Sequence, residues 1–549
     1  MKSYPPFIAG RDVQPEGWVY SLRASALFDD MFGALRCKRE LESGRVAFEP
    51  VDPRVTGRVG TTSVAQGEAA LLAASAAQRH WAAVPLDVRY AFGLAVHREM
   101  ARRADELVEI LIGEGHPRRL AEWEVSGILG GSSEETLRSN VHELERERSV
   151  DQRTLRLVRK PDGVVCLNPP QNAATSVSVL GLGALIAGNS LVVKIPRTVP
   201  LGVSFIYRDI VAPILEEFDA PPGVLNLVCS PSEAVLQQWL ESPLVDDIFF
   251  VGSSERGLKL GAECAVRGKK PILELAGNDG ILVWKDADLP MAARALAECF
   301  YGSTQICMVP KYAVVHPDVA GELLALLVGL LGDIRPGYPE DPDTVLTPVL
   351  KSHEFFTVLQ QAVSDGAELI TGGDRMDHTG APSPTGVFIE PTVLRVDGLD
   401  AADRVPAVRE ETFFPLLPVV VPTETEAADV DKVLAFIDAN SYGLRNSLWT
   451  QDQHLIARFC SQVNNGGLLK INDSHVGFAP GLPTHGGTGL TGGPFGQANF
   501  PVLMATHLQG ISIATEVQPR AAVFDTGFSQ WAKASGESPI VPWHVPLGI

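Results

Sequence analysis

Hydrophobic positions recur at helical spacing in the first part of the chain. The segment VAQGEAALLAASAAQRHWAAV, residues 64–84, repeats Ala and Leu at intervals of three and four, and Pro85 ends the predicted helix. A second helix is predicted from about residue 87 to 112. The charge-dense segment 134–148 is typical of an exposed helix, and we assign no chemistry to it.

After Pro161 the pattern changes to short β-branched runs that alternate with helical runs. The strand-like runs are GVVCL, LVVKI, VLNLV, DIFFVG and PILELA, and one helical run follows each of the first four. Strands separated by single helices pair in parallel, because a parallel crossover needs a dozen or more residues. The pattern therefore predicts an α/β, doubly wound sheet whose ligands bind at the carboxyl ends of the strands.

A second α/β alternation begins near Ile281. The runs ILVW and YAVVH flank a helix predicted over 289–301, and Gly and Pro become frequent beyond Phe478. We predict a leader over 1–60, a first α/β domain over 61–280, a second over 281–478, and an arm with a carboxyl-terminal extension over 479–549. A segment near 148–160 is expected to join the arm, while the last part of the tail can also be read as irregular surface.

Composition and charge narrow the class of protein. The 549 residues include 46 basic and 66 acidic side chains, so the net charge of −20 argues against a nucleic-acid or anionic-membrane partner. Seven cysteines are widely spaced, without a CxxC pair or His-Cys cluster, which indicates no zinc site and a reducing compartment. The amino terminus has no apolar core of a signal peptide, so we expect a cytoplasmic protein.

Two residues are candidates for covalent chemistry. Cys307 in YGSTQICMVP stands between a helical run and a strand, where it is either an exposed nucleophile or a small buried hydrophobe. Glu274 in PILELAGNDG is a carboxylate inside a nearly apolar strand that is followed by a turn. It is either a general base, or the strand ends there and the carboxylate is solvated. Together they suggest a covalent intermediate that is released by activated water.

Two further segments are candidates for binding phosphate or ribose. In FVGSSERG, Gly252 and Ser253 end a strand where a helix begins, and backbone N–H groups at a helix start can hold a phosphate. In VVKIPRTVP, Lys194 ends a buried strand and Arg197 follows three residues later. The alternative for that pair is two solvated loop charges.

The order of motifs resembles the aldehyde dehydrogenase superfamily. The motifs are NPPQN, GNSLVVK, FVGSSERG, LELAG, QIC, REETFFP and THGGTGLTGG, and the resemblance runs from about Thr61 to Gly493. It implies that the first α/β domain binds NAD(P), that the second is catalytic, and that the β-rich arm serves oligomerisation in a homodimer or homotetramer.

The resemblance also implies roles for individual residues. Cys307 matches the family nucleophile and Glu274 the general base. Asn172 is the better match to the asparagine of the oxyanion hole, although counting back from Lys194 selects Gln171. For the cofactor, the resemblance implies the residues Lys194 for the ribose, Ser253 for the pyrophosphate, Glu411 for the nicotinamide ribose and Phe413 for packing beside it.

The implied reaction is NAD(P)-dependent oxidation of an aldehyde to a carboxylic acid through a cysteine thioester. Glu274 favours hydrolytic release; the alternative is an acyl-thioester reductase acting on coenzyme A or a carrier protein. Arg197 stands where NAD-using relatives carry a glutamate, and a guanidinium can bind a 2′-phosphate, so we expect NADP, with NAD as the alternative.

The substrate is expected to be an apolar, aromatic or coenzyme A-linked aldehyde. The predicted substrate tunnel takes residues from the helix after Asn172, from the loop 301–308 and from the loop 473–480. Its expected lining includes Phe300, Tyr301, Met308, His475 and Phe478, although core packing explains the same side chains.

Overall fold

The structure is a computed structural model that describes residues 1–46, 52–150, 153–479, 481–498 and 500–514. These ranges contain two seven-stranded sheets and several smaller sheets. No helix within the described ranges combines the length and the apolar character needed to span a membrane.

The first 60 residues form short strands and two helices. In chain order these are β1 (Lys2–Tyr4), β2 (Phe7–Ile8), β3 (Arg11–Asp12), β4 (Trp18–Leu22), α1 (Ala24–Asp29), α2 (Met31–Glu42) and β5 (Val55–Gly60). Strands β1, β5 and β4 form a three-stranded sheet, whereas β2 and β3 join the edge of the first large sheet. The segment predicted as a leader thus contributes strands to a large sheet.

Five helices follow, and one predicted helix is divided. They are α3 (Val64–Ala82), α4 (Leu86–Arg102), α5 (Ala104–Gly113), α6 (Arg118–Gly131) and α7 (Glu134–His142). Helix α3 begins with a capping box in which Ser63 and Gln66 each accept a backbone N–H of the other. The single helix predicted over 87–112 is wrong, because Arg103 leaves helical geometry (φ −109°, ψ 19°) while its guanidinium binds Glu106.

The charge-dense segment is a helix only in its first half. After α7 the chain forms β6 (Glu145–Val150), which pairs antiparallel with β7 (Arg153–Pro161), so the helix predicted over 134–148 is wrong beyond residue 142. Glu145 and Glu147 lie on one face of β6, and both contact Arg156 of β7. Alternate charges therefore match the period of a strand here.

The first large sheet contains the strands expected after Pro161. Its elements are β8 (Val164–Asn168), α8 (Ala174–Ser178), α9 (Gly181–Ala187), β9 (Ser190–Lys194), α10 (Leu201–Ser204), a π-helical segment (Phe205–Val211), α11 (Ala212–Glu217), β10 (Leu225–Val228), α12 (Ser232–Glu241), β11 (Asp247–Val251), α13 (Ser254–Val266) and β12 (Lys270–Glu274). The order is β12-β11-β8-β9-β10-β2-β3. The first five strands are parallel, which confirms the doubly wound sheet.

The second large sheet follows directly. Its region contains β13 (Asp279–Val283), α14 (Leu289–Ala297), a 3₁₀ segment (Glu298–Thr304), β14 (Pro310–Val315), α15 (Pro317–Leu331), α16 (Ser352–Ser364), β15 (Glu368–Thr371), β16 (Arg375–Met376), β17 (Phe388–Ile389), β18 (Thr392–Asp397), α17 (Leu399–Ala402), α18 (Pro406–Arg409), β19 (Leu416–Val421), α19 (Glu424–Ala427), α20 (Val430–Asp438), β20 (Tyr442–Gly443), β21 (Arg445–Trp449), α21 (Gln453–Gln462) and β22 (Leu468–Ile471). The order is β15-β18-β19-β14-β13-β21-β22, and only β15 is antiparallel to its neighbour. The α-helix predicted over 289–301 ends at Ala297.

The tail returns to the middle of the chain. It contains β23 (Thr488–Gly489), α22 (Pro501–Met504) and β24 (Thr506–Ala514). Strand β24 pairs antiparallel with β7 along all nine of its residues, which completes the small sheet β24-β7-β6. The predicted extension over 515–549 lies outside the described residues.

Candidate active site

Two depressions meet at Cys307. One, here called the apolar cavity, encloses about 160 Å³; its walls include Phe92, Leu120, Trp123, Ile128, Leu137, Ile186, Met308, Phe478 and Val502. The other, here called the polar cleft, is more open; its walls include Asn168, Gln171, Ser232, Gly252, Ser253, Arg256, Glu411 and Phe413. Asn172, Glu274 and Cys307 line both, so the three predicted catalytic residues share one junction.

Cys307 lies in the loop between the 3₁₀ segment and β14. The backbone before it is held in an unusual form, because Gly302, Ser303 and Thr304 have φ values of 63°, 54° and 61°. Two non-glycine residues in this region carry strain that surrounding contacts must offset. Burial raises the pKa of the Cys307 thiol to about 12, with a further contribution from the Glu411 carboxylate. These surroundings therefore disfavour a thiolate at Cys307.

Glu274 is the last residue of β12, at the carboxyl edge of the first large sheet. Its side chain is buried (6% exposed), and its Oε2 accepts a hydrogen bond from Gly486 N–H at 2.6 Å. Strand pairing places it there: Glu274 is in register with Val251 at the end of β11. The parallel sheet thus carries the carboxylate to the junction of the two depressions.

Asn172 directly contacts the loop that carries the predicted nucleophile Cys307 (residues 304–309), here called the nucleophile loop. Its side-chain Nδ2 donates to the carbonyl oxygen of Gln305 at 3.0 Å, two residues before Cys307. Gln171 is exposed and lines only the polar cleft. Of the two alternatives, Asn172 is the one placed where its amide can serve a group bound to Cys307.

The polar cleft offers the groups that a dinucleotide needs. Ser253 is the N-cap of α13, so the first turn of that helix presents backbone N–H groups beside Gly252, and helix N-termini bind phosphate. Glu411 accepts a hydrogen bond from Gly277 N–H at 2.9 Å, and burial raises the pKa of its carboxyl. Phe413 forms an apolar wall. Anion-binding amides, a carboxylate and an aromatic face fit a nicotinamide dinucleotide.

Lys194 and Arg197 do not line the cleft itself. Lys194 ends β9, where burial lowers the pKa of its ammonium and the side chain is only 1% exposed. Arg197 is exposed three residues later. Strand β9 pairs with β8, and the last residue of β8, Asn168, does line the cleft. The two cations therefore flank the cleft at the adjacent strand end.

An aromatic pair forms one wall of the apolar cavity. Trp123 and Phe478 stack with ring centroids 5.5 Å apart and an interplanar angle of 28°. Gly127, one turn after Trp123 on α6, leaves the space for Phe478, because a Cβ there would lie 2.3 Å from the phenyl ring. The cavity that Cys307 lines therefore presents a flat apolar surface.

The predicted tunnel lining is partly wrong. Met308 and Phe478 do line the apolar cavity, but Phe300 lies in the core beside the second large sheet, with 0% exposure. Tyr301 instead lies beside Arg119, whose Nη2 is 3.3 Å from its hydroxyl. His475 is fully buried, with Nε2 3.1 Å from Asp279 Oδ2. Spacing in sequence could not separate lining from core residues, because both are apolar or aromatic.

Sequence reasoning missed two buried cations beside the nucleophile loop. Lys311 in β14 and Arg445 in β21 are 0% and 1% exposed, and each donates to backbone carbonyls. Both lower the pKa of the Cys307 thiol and so oppose the effect of burial. The available signal was a basic residue within an apolar strand, in PKYAVV for Lys311 and in LRNSLW for Arg445.

The arrangement supports covalent chemistry at a carbonyl group. A thiol, a buried carboxylate and an amide donor meet where an apolar cavity opens onto a cleft suited to a dinucleotide. A nucleophile, a general base and an oxyanion donor are the parts that acyl chemistry requires.

Comparisons with known proteins agree with this geometry. Residues 38–507 match the sequence profile of the aldehyde dehydrogenase family. The chain is 30% identical to an alpha-ketoglutarate semialdehyde dehydrogenase of Haloferax volcanii, in a match that covers 76% of this chain and 84% of that protein. It is 27% identical to a vanillin dehydrogenase of Pseudomonas fluorescens, in a match that covers 84% of this chain and 93% of that protein.

A solved structure shares the fold. The glyceraldehyde-3-phosphate dehydrogenase of Methanocaldococcus jannaschii, in complex with NADP, superposes with a TM-score of 0.73 at 24% identity, over 84% of this chain and 96% of that one. The matched profile covers most of the chain, including every residue of the junction described above. The chain belongs to the aldehyde dehydrogenase family, and it is an NAD(P)-dependent oxidoreductase that acts on aldehydes.

Proposed function

We propose that the chain oxidises an apolar or aromatic aldehyde to the carboxylic acid, with Cys307 as nucleophile, Asn172 as oxyanion donor and Glu274 as general base. The observation that carries this assignment is the meeting of these three residues at the junction of the apolar cavity and the polar cleft.

The steps follow from the chemistry of the residues. Cys307 loses its proton and its sulfur bonds the aldehyde carbon, while the amide of Asn172 and the N–H of Cys307 stabilise the negative oxygen. Gly252, Ser253, Glu411 and Phe413 would hold NAD(P)⁺, which would supply the acceptor for the hydride that the aldehyde carbon loses as the thioester forms. Glu274 then takes a proton from water, whose oxygen displaces the sulfur from the thioester and releases the acid.

The apolar cavity supports the substrate class. One wall of the cavity is the stacked pair of Trp123 and Phe478, and an aromatic substrate ring packs favourably on such a surface. The vanillin dehydrogenase of Pseudomonas fluorescens, a relative at 27% identity, is named for an aromatic aldehyde.

NADP is the proposed cofactor. Arg197 is an exposed guanidinium beyond the buried Lys194, at the strand end next to the cleft, and a guanidinium there can pair with a 2′-phosphate. The related structure from Methanocaldococcus jannaschii was solved with NADP. The two cofactors are compared by their kcat/KM values with the same aldehyde.

The small sheet β24-β7-β6 is proposed as the surface of a homodimer or homotetramer. Strand β24 is mostly exposed and presents Leu508 and Ile513, which are 58% and 45% exposed. An exposed apolar edge strand is a template for pairing with another strand. Light scattering of the purified protein gives the oligomeric state.

All seven cysteines are unpaired thiols, in keeping with the proposed cytoplasmic location.

One experiment tests the catalytic assignment. With benzaldehyde and NADP, Cys307→Ala is expected to form no NADPH, whereas Glu274→Gln is expected to form one equivalent per active site and then stop with the acyl group on Cys307, visible by mass spectrometry. Full activity of Cys307→Ala contradicts the nucleophile. Steady turnover of acyl-CoA with NADPH by the wild type, without aldehyde oxidation, favours the acyl-thioester reductase instead.

A further inference from the structure

Lys311 is a buried cation that binds the backbone around the nucleophile. Its Nζ donates to the carbonyl oxygens of Thr304, Ile306 and Thr412 at 2.8, 2.9 and 3.0 Å. The ammonium also lies 5.0 Å from the centre of the Phe413 ring. All three N–H donors of the ammonium have an acceptor, so the loop before Cys307 is tied to β14 from beneath.

The three successive carbonyls before Cys307 each accept a side-chain hydrogen bond. Thr304 and Ile306 point to Lys311, and Gln305 between them accepts from Asn172. A trans peptide unit is planar, and its N–H points opposite to its C=O. Because the carbonyl of Ile306 is bound to Lys311, the N–H of Cys307 in the same peptide unit is directed to the other side. Among the described residues, that N–H has no hydrogen-bond acceptor.

The charge around Cys307 is mixed. The anionic groups that face it are Glu411 and Asp279, Glu274 lines the same junction, and the cations are Lys311 and Arg445. The imidazole of His485 also lines the apolar cavity, and burial lowers its pKa to about 3, so it is neutral. The carboxylates disfavour a thiolate at Cys307 and the two cations favour it. Burial lowers the pKa of the Lys311 ammonium, and the Glu411 carboxylate opposes that shift.

We propose that Lys311 is a positioning residue of this active site: through its bonds to the carbonyls of Thr304 and Ile306 it directs the Cys307 N–H toward the oxyanion, and its ammonium places a positive charge beside the Cys307 thiolate. The inference rests on the proposed role of Cys307 as nucleophile. In this role Lys311 does not touch the substrate and acts only through the nucleophile loop.

Three substitutions separate charge from hydrogen bonding. Lys311→Met removes both, Lys311→Gln keeps two N–H donors without charge, and Lys311→Arg keeps the charge and donors. The matched control is Lys269→Met, because Lys269 is also buried and donates to two carbonyls, of Ser242 and Val245, away from Cys307.

For each variant kcat and KM with benzaldehyde and NADP, the melting temperature, and the pH dependence of Cys307 alkylation by iodoacetamide are measured. Lys311→Met is expected to lower kcat by about a hundredfold, the range for a lost oxyanion donor. KM should change little. The alkylation midpoint should move to higher pH in Lys311→Met and Lys311→Gln, and Lys311→Arg should restore it. Lys269→Met should lower only the melting temperature.

The outcomes are distinct. If Lys311→Met and Lys311→Gln keep the wild-type kcat and alkylation midpoint, the inference is wrong while the proposed function stands. If Lys311→Met does not fold, Lys311→Gln and Lys311→Arg decide: equal alkylation midpoints in these two overturn the electrostatic role. Activity retained by Cys307→Ala overturns the proposed function first.

Discussion

Replacing Asn172 by alanine tests the oxyanion site most directly. The side-chain amide of Asn172 has two N–H donors, and one of them binds the carbonyl of Gln305 at 3.0 Å. The second remains for the oxygen of a group bonded to Cys307, since Asn172 lines the junction from the apolar cavity and from the polar cleft. Asn172→Ala removes both donors and leaves the backbone path unchanged.

The two lost interactions have different magnitudes. Removal of one oxyanion donor raises the barrier by about 2.7–4 kcal/mol, so kcat should fall by about 10²–10³-fold. Loss of the hydrogen bond to Gln305 should cost about 1 kcal/mol of folding stability. A much larger effect on kcat than on the melting temperature is therefore expected.

The assay compares Asn172→Ala with Gln171→Ala. Initial rates of NADPH formation from benzaldehyde give kcat and KM, and thermal unfolding gives stability. Gln171 is exposed, so its substitution should change kcat by less than about threefold. A larger loss in Gln171→Ala than in Asn172→Ala would refute the assignment and identify Gln171 as the donor. Losses below tenfold in both would show that no side-chain amide contributes.

Three other predictions concern selectivity, cofactor and pH. Gly127→Ala should displace Phe478, since its Cβ would lie 2.3 Å from that ring, and lower kcat/KM for benzaldehyde at least tenfold relative to acetaldehyde; an unchanged ratio contradicts the aromatic wall. Arg197→Glu should reduce the NADP-to-NAD ratio of kcat/KM by about tenfold or more. The control is Arg208→Glu, at a partly exposed site whose guanidinium binds Asp12. His485 has a folded pKa lowered to about 3 by burial, against about 6.5 when unfolded, so the unfolded state binds the extra proton and stability falls as the pH drops from about 6.5 toward 3. The free energy of unfolding, measured with urea at pH 7 and at pH 5, should therefore fall less in His485→Asn than in the wild type. Equal decreases in the two proteins contradict the expectation.

Regular patterns in the sequence predicted the elements whose environment is uniform. The runs before Lys194 and Glu274 are strands because their central residues, 191–193 and 272–273, are apolar and buried. The helix prediction was wrong over 145–148 because alternate charges satisfy an exposed helix as well as a strand, and only pairing with β7 decides between them. The break at Arg103 lies where its guanidinium also donates to the carbonyl oxygen of Asp209, a tertiary contact that no local pattern reports.

The sequence by itself determined the family, the doubly wound sheet and the candidate residues Cys307 and Glu274, because apolar periodicity and motif order are local properties of the chain. Only the tertiary structure decided which residues meet. It joined β24 to β7, brought Asn172 to the nucleophile loop, placed Trp123 against Phe478, and set the buried Lys311 under the carbonyls before Cys307. These contacts join segments distant in the chain or depend on the path of one loop, and their energies come from packing and hydrogen-bond geometry, which spacing in sequence does not encode.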